Sequence, residues 1–235
     1  MQPMIDPGDL QRTHRVPHPC GASSPVCSDD AVQSWSVVVP AKRLAVAKTR
    51  LRPLTAGLGT AHRDLVLALL ADTVAAAVAS PAVTEVVVVT DDPAAADVVR
   101  ELGARTVADL PDQGLNPALE HGARSATERA VAALSSDLPA LRPDELTAAL
   151  GAAGTGRSFV ADAQGTGTTL LLAVGTELRP MFGERSAEAH LASGAQPLSG
   201  AWPGLVRDVD TEADLRAALT LGVGARTAAL ASRLR

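Results

Sequence analysis

Five cations follow a short apolar run within eleven residues: Lys42, Arg43, Lys48, Arg50 and Arg52 stand behind "SVVVP". The chain as a whole is acidic, with a formal charge of −5. So dense a basic segment is therefore a local device for a local anion. Acids recur in comparable positions: Asp91 and Asp92 close "TEVVVVTDD", Asp137 stands in "SDLPAL", and Asp208 and Asp210 stand in "DVDT". Two carboxylates opposite a cluster of Lys and Arg suit a divalent cation with a polyphosphate. Carboxylate oxygens hold the ion, while the basic groups neutralise and orient the phosphates. Each piece alone has a plainer reading: a basic loop is usually a solvated face, and an Asp before a helix is usually a cap. The signal is that all of them sit where strands end.

The elements that must bring these residues together can be read along the chain. "WSVVVP" and "TEVVVV" are short β-rich apolar runs, as expected of strands buried on both faces. "ARTVAD" and "AVAAL" read as two further strands. "HRDLVLALLADTVAAAVAS" has helical composition and stops at Ser80 and Pro81. "PAAADVVRELG" starts a helix with Pro and ends it at Gly103. "NPALEHGARSATERA" reads as a helix with Asn116 as N-cap and Pro117 in its first position. "RPDELTAALGAAG" is another helix. After Gly156, "SFVADAQGTGTTLLLAV" predicts two strands joined by a Gly/Thr turn, and "GERSAEAHLASGA" a short helix. "LVRDVDTEADLRAALTLG" predicts a strand, then a helix capped by Thr211 and stopped at Gly222. Such alternation predicts an α/β fold with a mostly parallel sheet covered by helices. Folds of this kind bind ligands at the carboxyl ends of their strands, where the acids and cations lie. No GxGxxG follows the first strand and no Walker A sequence occurs, which disfavours dinucleotide binding and P-loop chemistry.

Composition sets the outer limits. At 235 residues with 46% hydrophobic content, the chain can build a full core. No Tyr, two Phe and two Trp leave no stacking platform for single strands. A pI near 5.5 argues against a nucleic-acid partner. No apolar run is long enough to span a membrane, and "MQPMIDPGDLQRTHRVPHPC" lacks a signal-peptide core; both favour the cytoplasm. Residues 1–33, rich in Pro, Ser, Asp and Gly, read as a disordered extension, and residues 34–235 as a single domain. Cys20 and Cys27 fall in that extension and read as free thiols.

In order, "VPAKRLAVAKTRL", "DTVAAA", "VVVVTDD", "GLNPAL", "SDLPAL", "GTGTTLLLA", "FGERSAEAH" and "DVDTEADL" resemble the guanylyltransferases of coenzyme F420 biosynthesis. These act on 2-phospho-L-lactate or phosphoenolpyruvate, and the likeness covers residues 35–219. It implies a Rossmann-like, three-layer nucleotidyltransferase fold of the MobA-like, nucleotide-diphospho-sugar transferase type, with a mixed, mostly parallel sheet. The implied reaction joins GMP from GTP to a phosphorylated three-carbon acid and releases pyrophosphate, with Mg²⁺ as cofactor. A downstream F420-pathway transferase would take the diphosphate product.

Residue by residue, Pro40, Ala41, Lys42 and Lys48 match the family's nucleotide loop. Gly114, Leu115 and Asn116 match its nucleotide-side "GLN". Asp137 and Asp210 match the metal ligands, with Asp208 as the alternative to Asp210. Thr168, Gly183 and Ser186 match the acceptor positions. Lys42, Lys48, Asp137 and Asp210 are thus the expected catalytic set. The chain departs from the pattern at Ser136, where the family usually has Gly, and at Arg43, an added cation. Other MobA-like transferases, which act on sugar phosphates or the molybdenum cofactor, usually open with a Gly-rich "LAGG" loop that this chain lacks. A non-catalytic nucleotide-binding protein of the same fold would be expected to lose the acids or the loop lysines, and all are present.

Overall fold

Three consecutive valines, Val37, Val38 and Val39, are wholly buried in β1 (Trp35–Pro40), because this strand is covered on both faces. In a computed structural model of the chain, residues 33–41, 48–55, 60–110 and 113–233 are described. They belong to one compact unit, Val32–Arg235. The expected extension, apart from its last residue, and Lys42 lie outside the described residues.

β1 is flanked by β2 (Val83–Val89) and β4 (Ala130–Leu134), both parallel to it, and β2 by parallel β3 (Arg105–Val107). β6 (Thr168–Val174) runs antiparallel to both β4 and β5 (Gly156–Ala161), and β7 (Gln196–Leu198) closes the far edge parallel to β5. The order is β3-β2-β1-β4-β6-β5-β7. One strand therefore runs against the rest, the mostly parallel mixed sheet expected from the sequence.

Alternation along β1 separates two apolar layers. Val37 and Val39 pack in one cluster with residues of α1 (Ala61–Val78), α2 (Pro93–Glu101) and α4 (Pro143–Gly151). Val38 packs in the other with α3 (Leu115–Arg124) and α5 (Ser186–Ala192). Helix, sheet and helix make the three layers. Gly122 lets α3 lie close, since a Cβ there would meet the Val38 and Val89 side chains. A third cluster packs a 3-10 helix, Thr49–Thr55, against α1 and α6 (Glu212–Leu221). Among the described residues, no helix is long and apolar enough to cross a membrane.

Two expectations are corrected, and one helix was not expected. The "LVRDVD" segment is turn and loop; the Val209 N–H is spent on the Asp137 carbonyl at 3.1 Å instead of a ladder. α3 is capped by Gly114 at φ 117°, so Asn116 and Pro117 fall inside its first turn. A helix not anticipated from the sequence, α7 (Ala225–Ala231), follows Gly222. Its first turn hangs on the buried Asp72 of α1, which accepts from Arg226 N and Thr227 N. Thr211 does cap α6, in a reciprocal box with Asp214.

Candidate active site

β1 sends its chain toward β2 and β4 receives its chain from the other half, so strand order reverses between them. That switch point is where such sheets form a crevice. A cleft of about 720 Å³ opens there, within the range of small-molecule sites. Pro40 at the end of β1 and residues 134–137 at the end of β4 line its floor.

Lys48 enters the cleft from the loop beyond β1. Its backbone is left-handed at φ 52°, an uncommon state for a non-glycine residue. Its ammonium hydrogen-bonds to Asp137 Oδ2 and to Asp210 Oδ1. Burial draws the Lys48 pKa down, but the two carboxylates outweigh it and hold it above its ordinary value. The ammonium therefore stays charged. Asp208 lies close by. Burial, then the Asp137 and Asp210 charges, push it up to about 7 against the pull of Lys48. The Asp137 loop and the loop carrying Asp208 and Asp210 are joined by the Val209-to-Asp137 main-chain bond. Carboxylates from distant parts of the chain so converge on one cation. Among the described residues, no three acidic or imidazole groups close into a ready-made metal cage.

The opposite wall is built from the β5–β6 turn and the segment before α5. Asp162 accepts from Thr166 N at 2.9 Å and Gly167 N at 2.8 Å. The Thr166 and Gly167 amides of this turn are therefore already engaged. A Cβ on Gly167 would strike the Asp162 carboxylate, so a side chain there would displace this clasp. His190 is fully buried, and burial, with the charge of Arg157, lowers its pKa to about 4. It is neutral, and its Nε2 accepts from Met181 N at 2.9 Å. The ring proton must then sit on Nδ1, so Thr168 Oγ1, 2.9 Å away, accepts from it. The Thr168 hydroxyl hydrogen remains available to a ligand. Asn116 clasps the same wall: it accepts from Phe182 N and donates to Phe182 O.

Of the expected site residues, Pro40, Lys48, Leu115, Asp137, Thr168, Gly183, Ser186 and Asp210 line this one cleft. Ala41 is buried, and its N–H bonds Val89 O. Gly114 caps α3 and Asn116 holds Phe182, so neither is among the lining residues. Ser186 N and Ala187 N donate to Gly183 O and Thr166 O, so these two amides at the start of α5 are already engaged. Asp91 and Asp92 are structural: Asp91 accepts from Asp109 N, and Asp92 caps α2. Sequence reasoning missed Asp162. An Asp shortly before a Gly-rich tip is the signal of a side chain that turns its own backbone.

Residues 35–231 match the family described as guanylyl transferase CofC like. The chain is 72% identical over 204 residues to a phosphoenolpyruvate guanylyltransferase of Geodermatophilus obscurus, covering 85% of this chain and 95% of that protein. It is 55% identical over 202 residues to one of Salinispora arenicola, covering 84% and 94%. Among solved structures, a nucleotidyl transferase from Methanothermobacter thermautotroptrophicus superposes with TM-score 0.55 at 22% identity, over 80% of this chain and 97% of that one. A protein of Desulfovibrio desulfuricans G20, described as a nucleotide-diphospho-sugar transferase, does so with TM-score 0.63 at 16% identity, over 86% and 95%. These two likenesses bear on the fold.

Proposed function

The chain belongs to the CofC-like guanylyl transferases, and we propose from that premise that it moves GMP from GTP to the phosphate of phosphoenolpyruvate, releasing pyrophosphate. The observation that carries this reading is the convergence of Lys48, Asp137 and Asp210 in one cleft at the switch point. The acceptor follows the name of the relative at 72% identity, and the place in cytoplasmic coenzyme F420 biosynthesis follows the family likeness.

The nucleophile is an oxygen of the acceptor phosphate. Such a group is largely dianionic above about pH 6, so no general base is needed. The oxygen forms a bond to the α-phosphorus of GTP, the bond to the β-phosphate breaks, and its electron pair leaves with pyrophosphate. Two polyanions repel each other, so the protein's task is to position them in line and to neutralise charge. Lys48 and Arg50 line the cleft and are assigned to the nucleotide phosphates, with Lys42 joining them by family resemblance. The Lys48 ammonium is already held within the cleft and can exchange a carboxylate for a phosphate oxygen by side-chain rotation. Thr168 offers its hydroxyl hydrogen to the acceptor, beside Gly183 and Ser186. Asp137 and Asp210 suit Mg²⁺, which takes one or two carboxylates and completes its shell with water and phosphate oxygens. That these carboxylates share the Lys48 ammonium supports the fit. When bound, the ion supplies charge neutralisation between the reacting phosphates.

Purified protein with GTP, Mg²⁺ and phosphoenolpyruvate should release one pyrophosphate per acceptor consumed. Release with 2-phospho-L-lactate alone would move the acceptor assignment. No release with either acid would overturn the reading.

A further inference from the structure

The peptide group between Asp137 and Leu138 is gripped at both of its polar atoms. Its carbonyl accepts from Val209 N at 3.1 Å, and its N–H donates to Thr73 Oγ1 at 2.9 Å. A peptide unit is planar and rigid, so two bonds on opposite sides set its orientation and with it the direction of the Asp137 side chain. One grip comes from the loop that carries Asp208 and Asp210. The other comes from the middle of α1, where Thr73 is fully buried.

Thr73 is an uncommon choice for the interior of a helix packed on the core. Its hydroxyl donates to Leu69 O at 2.8 Å, one turn back. A hydroxyl has one hydrogen and two lone pairs. With the hydrogen committed to Leu69, the oxygen is a pure acceptor facing Leu138 N–H. That N–H belongs to a loop beyond the end of β4, where no strand supplies an acceptor, and a buried amide without one is costly. Pro139 O accepts from Gly224 N at 2.8 Å, so the grip continues into the start of α7.

We propose that Thr73 is a positioning residue for the carboxylate pair. Its hydroxyl holds the Asp137–Leu138 peptide against the Val209 loop, so that Asp137 and Asp210 converge on one cation. Thr73 touches neither the cleft nor its ligands, and acts through this peptide. The inference rests on the assignment of that pair to a divalent ion made above.

The test compares Thr73→Val, which keeps the shape and deletes the hydroxyl, with Thr73→Ser, which restores it. Mn²⁺ is titrated in the presence of GTP, and free ion is read by electron paramagnetic resonance. Thr73→Val should weaken Mn²⁺ binding about tenfold or more, the usual scale for a support behind a ligand, while Thr73→Ser stays near the wild type. kcat should fall with KM for GTP unchanged. Thermal unfolding of each variant reports folding, and Thr73→Ala serves if the valine variant does not fold. Wild-type Mn²⁺ affinity in the valine variant would overturn the proposal, as would equal loss in the serine and valine variants. If the wild type binds Mn²⁺ in this pattern but makes no guanylylated product, the proposed reaction fails and the role of Thr73 stands.

Discussion

Lys48 sits in a strained backbone state with its charge wedged between two acids, a combination that positioning within a fold alone does not require. Such outliers concentrate at functional sites. Lys48→Ala should raise KM for GTP about tenfold or more, by loss of one phosphate-neutralising group, and unchanged kinetics would return this lysine to an ordinary ion pair. Asp137→Asn should lower kcat by more than about a hundredfold, as losing a transition-state charge contact does, with the melting profile still cooperative. Turnover at the wild-type rate would remove Asp137 from the metal assignment. In the sequence both stood out as a cation and an acid beyond strand ends, and the family likeness supplied the roles expected of them.

The bond between the His190 ring and Thr168 was not legible, because it joins residues whose meeting depends on how the β5–β6 turn folds over α5. It has a pH signature. His190 is held at about 4 when folded against about 6.5 in an unfolded chain, so the unfolded state binds its proton first as pH falls. The stability it contributes is present above about 6.5 and is lost between there and about 4. Glu85, lowered to about 2 against burial by bonds from Thr127, Arg105 and Ser36, adds a second loss between about 4.5 and 2. Asp208, raised to about 7, gains stability as pH falls over the same upper window. The His190 loss is therefore read as the difference in melting temperature between the wild type and His190→Gln, and the Glu85 loss as the decline that both share below about 4.5. An unchanged profile in that variant would contradict the assignment of a neutral, buried imidazole.

At the scale of elements, the apolar strands declare themselves by composition, since a strand covered on both faces has no solvent side to mark. β1, β2 and β4 were legible for this reason. The segment before Asp208 looked equally strand-like, yet its polar groups are drawn to Asp137 on one side and to Glu145 on the other. Glu145 on α4 is buried and accepts from Gly204 N and Leu205 N. Such side-chain acceptors replace a strand partner, and periodicity does not reveal them. α7 escaped for a similar reason, because its first amides are satisfied by Asp72, 155 positions from Thr227. Glu145→Ala should cost roughly 3 kcal/mol of stability, two charge-assisted bonds to buried amides, read by denaturant midpoint; a loss within error of zero would show that water replaces the carboxylate. On the wall proposed for the acceptor, Gly167→Ala should raise KM for the phospho-acid and leave KM for GTP alone, because the added methyl displaces the Asp162 clasp. A rise confined to GTP would exchange the two halves of the cleft.

At the scale of the whole molecule, the proposed function asks an acidic chain to hold two anionic ligands, and Lys48 and Arg50 beyond β1 supply cations in the cleft where it would do so. The mostly parallel sheet covered by helices matched what alternating strands and helices predict, and the three layers matched the family likeness; the edge strand β7 was not anticipated, and the segment expected as a last strand is loop. By returning antiparallel beside β4, β6 brings Thr168 to the same cleft as Asp137, so that in the proposed reaction the nucleotide and the acceptor would face each other. The most direct test of that arrangement follows the oxygen atoms. Phosphoenolpyruvate carrying ¹⁸O in its phosphate, with unlabelled GTP and Mg²⁺, should give a product in which GMP is joined to the acid through a diphosphate bridge retaining every labelled oxygen, with unlabelled pyrophosphate beside it by mass spectrometry. Label in the pyrophosphate, or no product containing both GMP and the acid, would contradict direct transfer across this cleft.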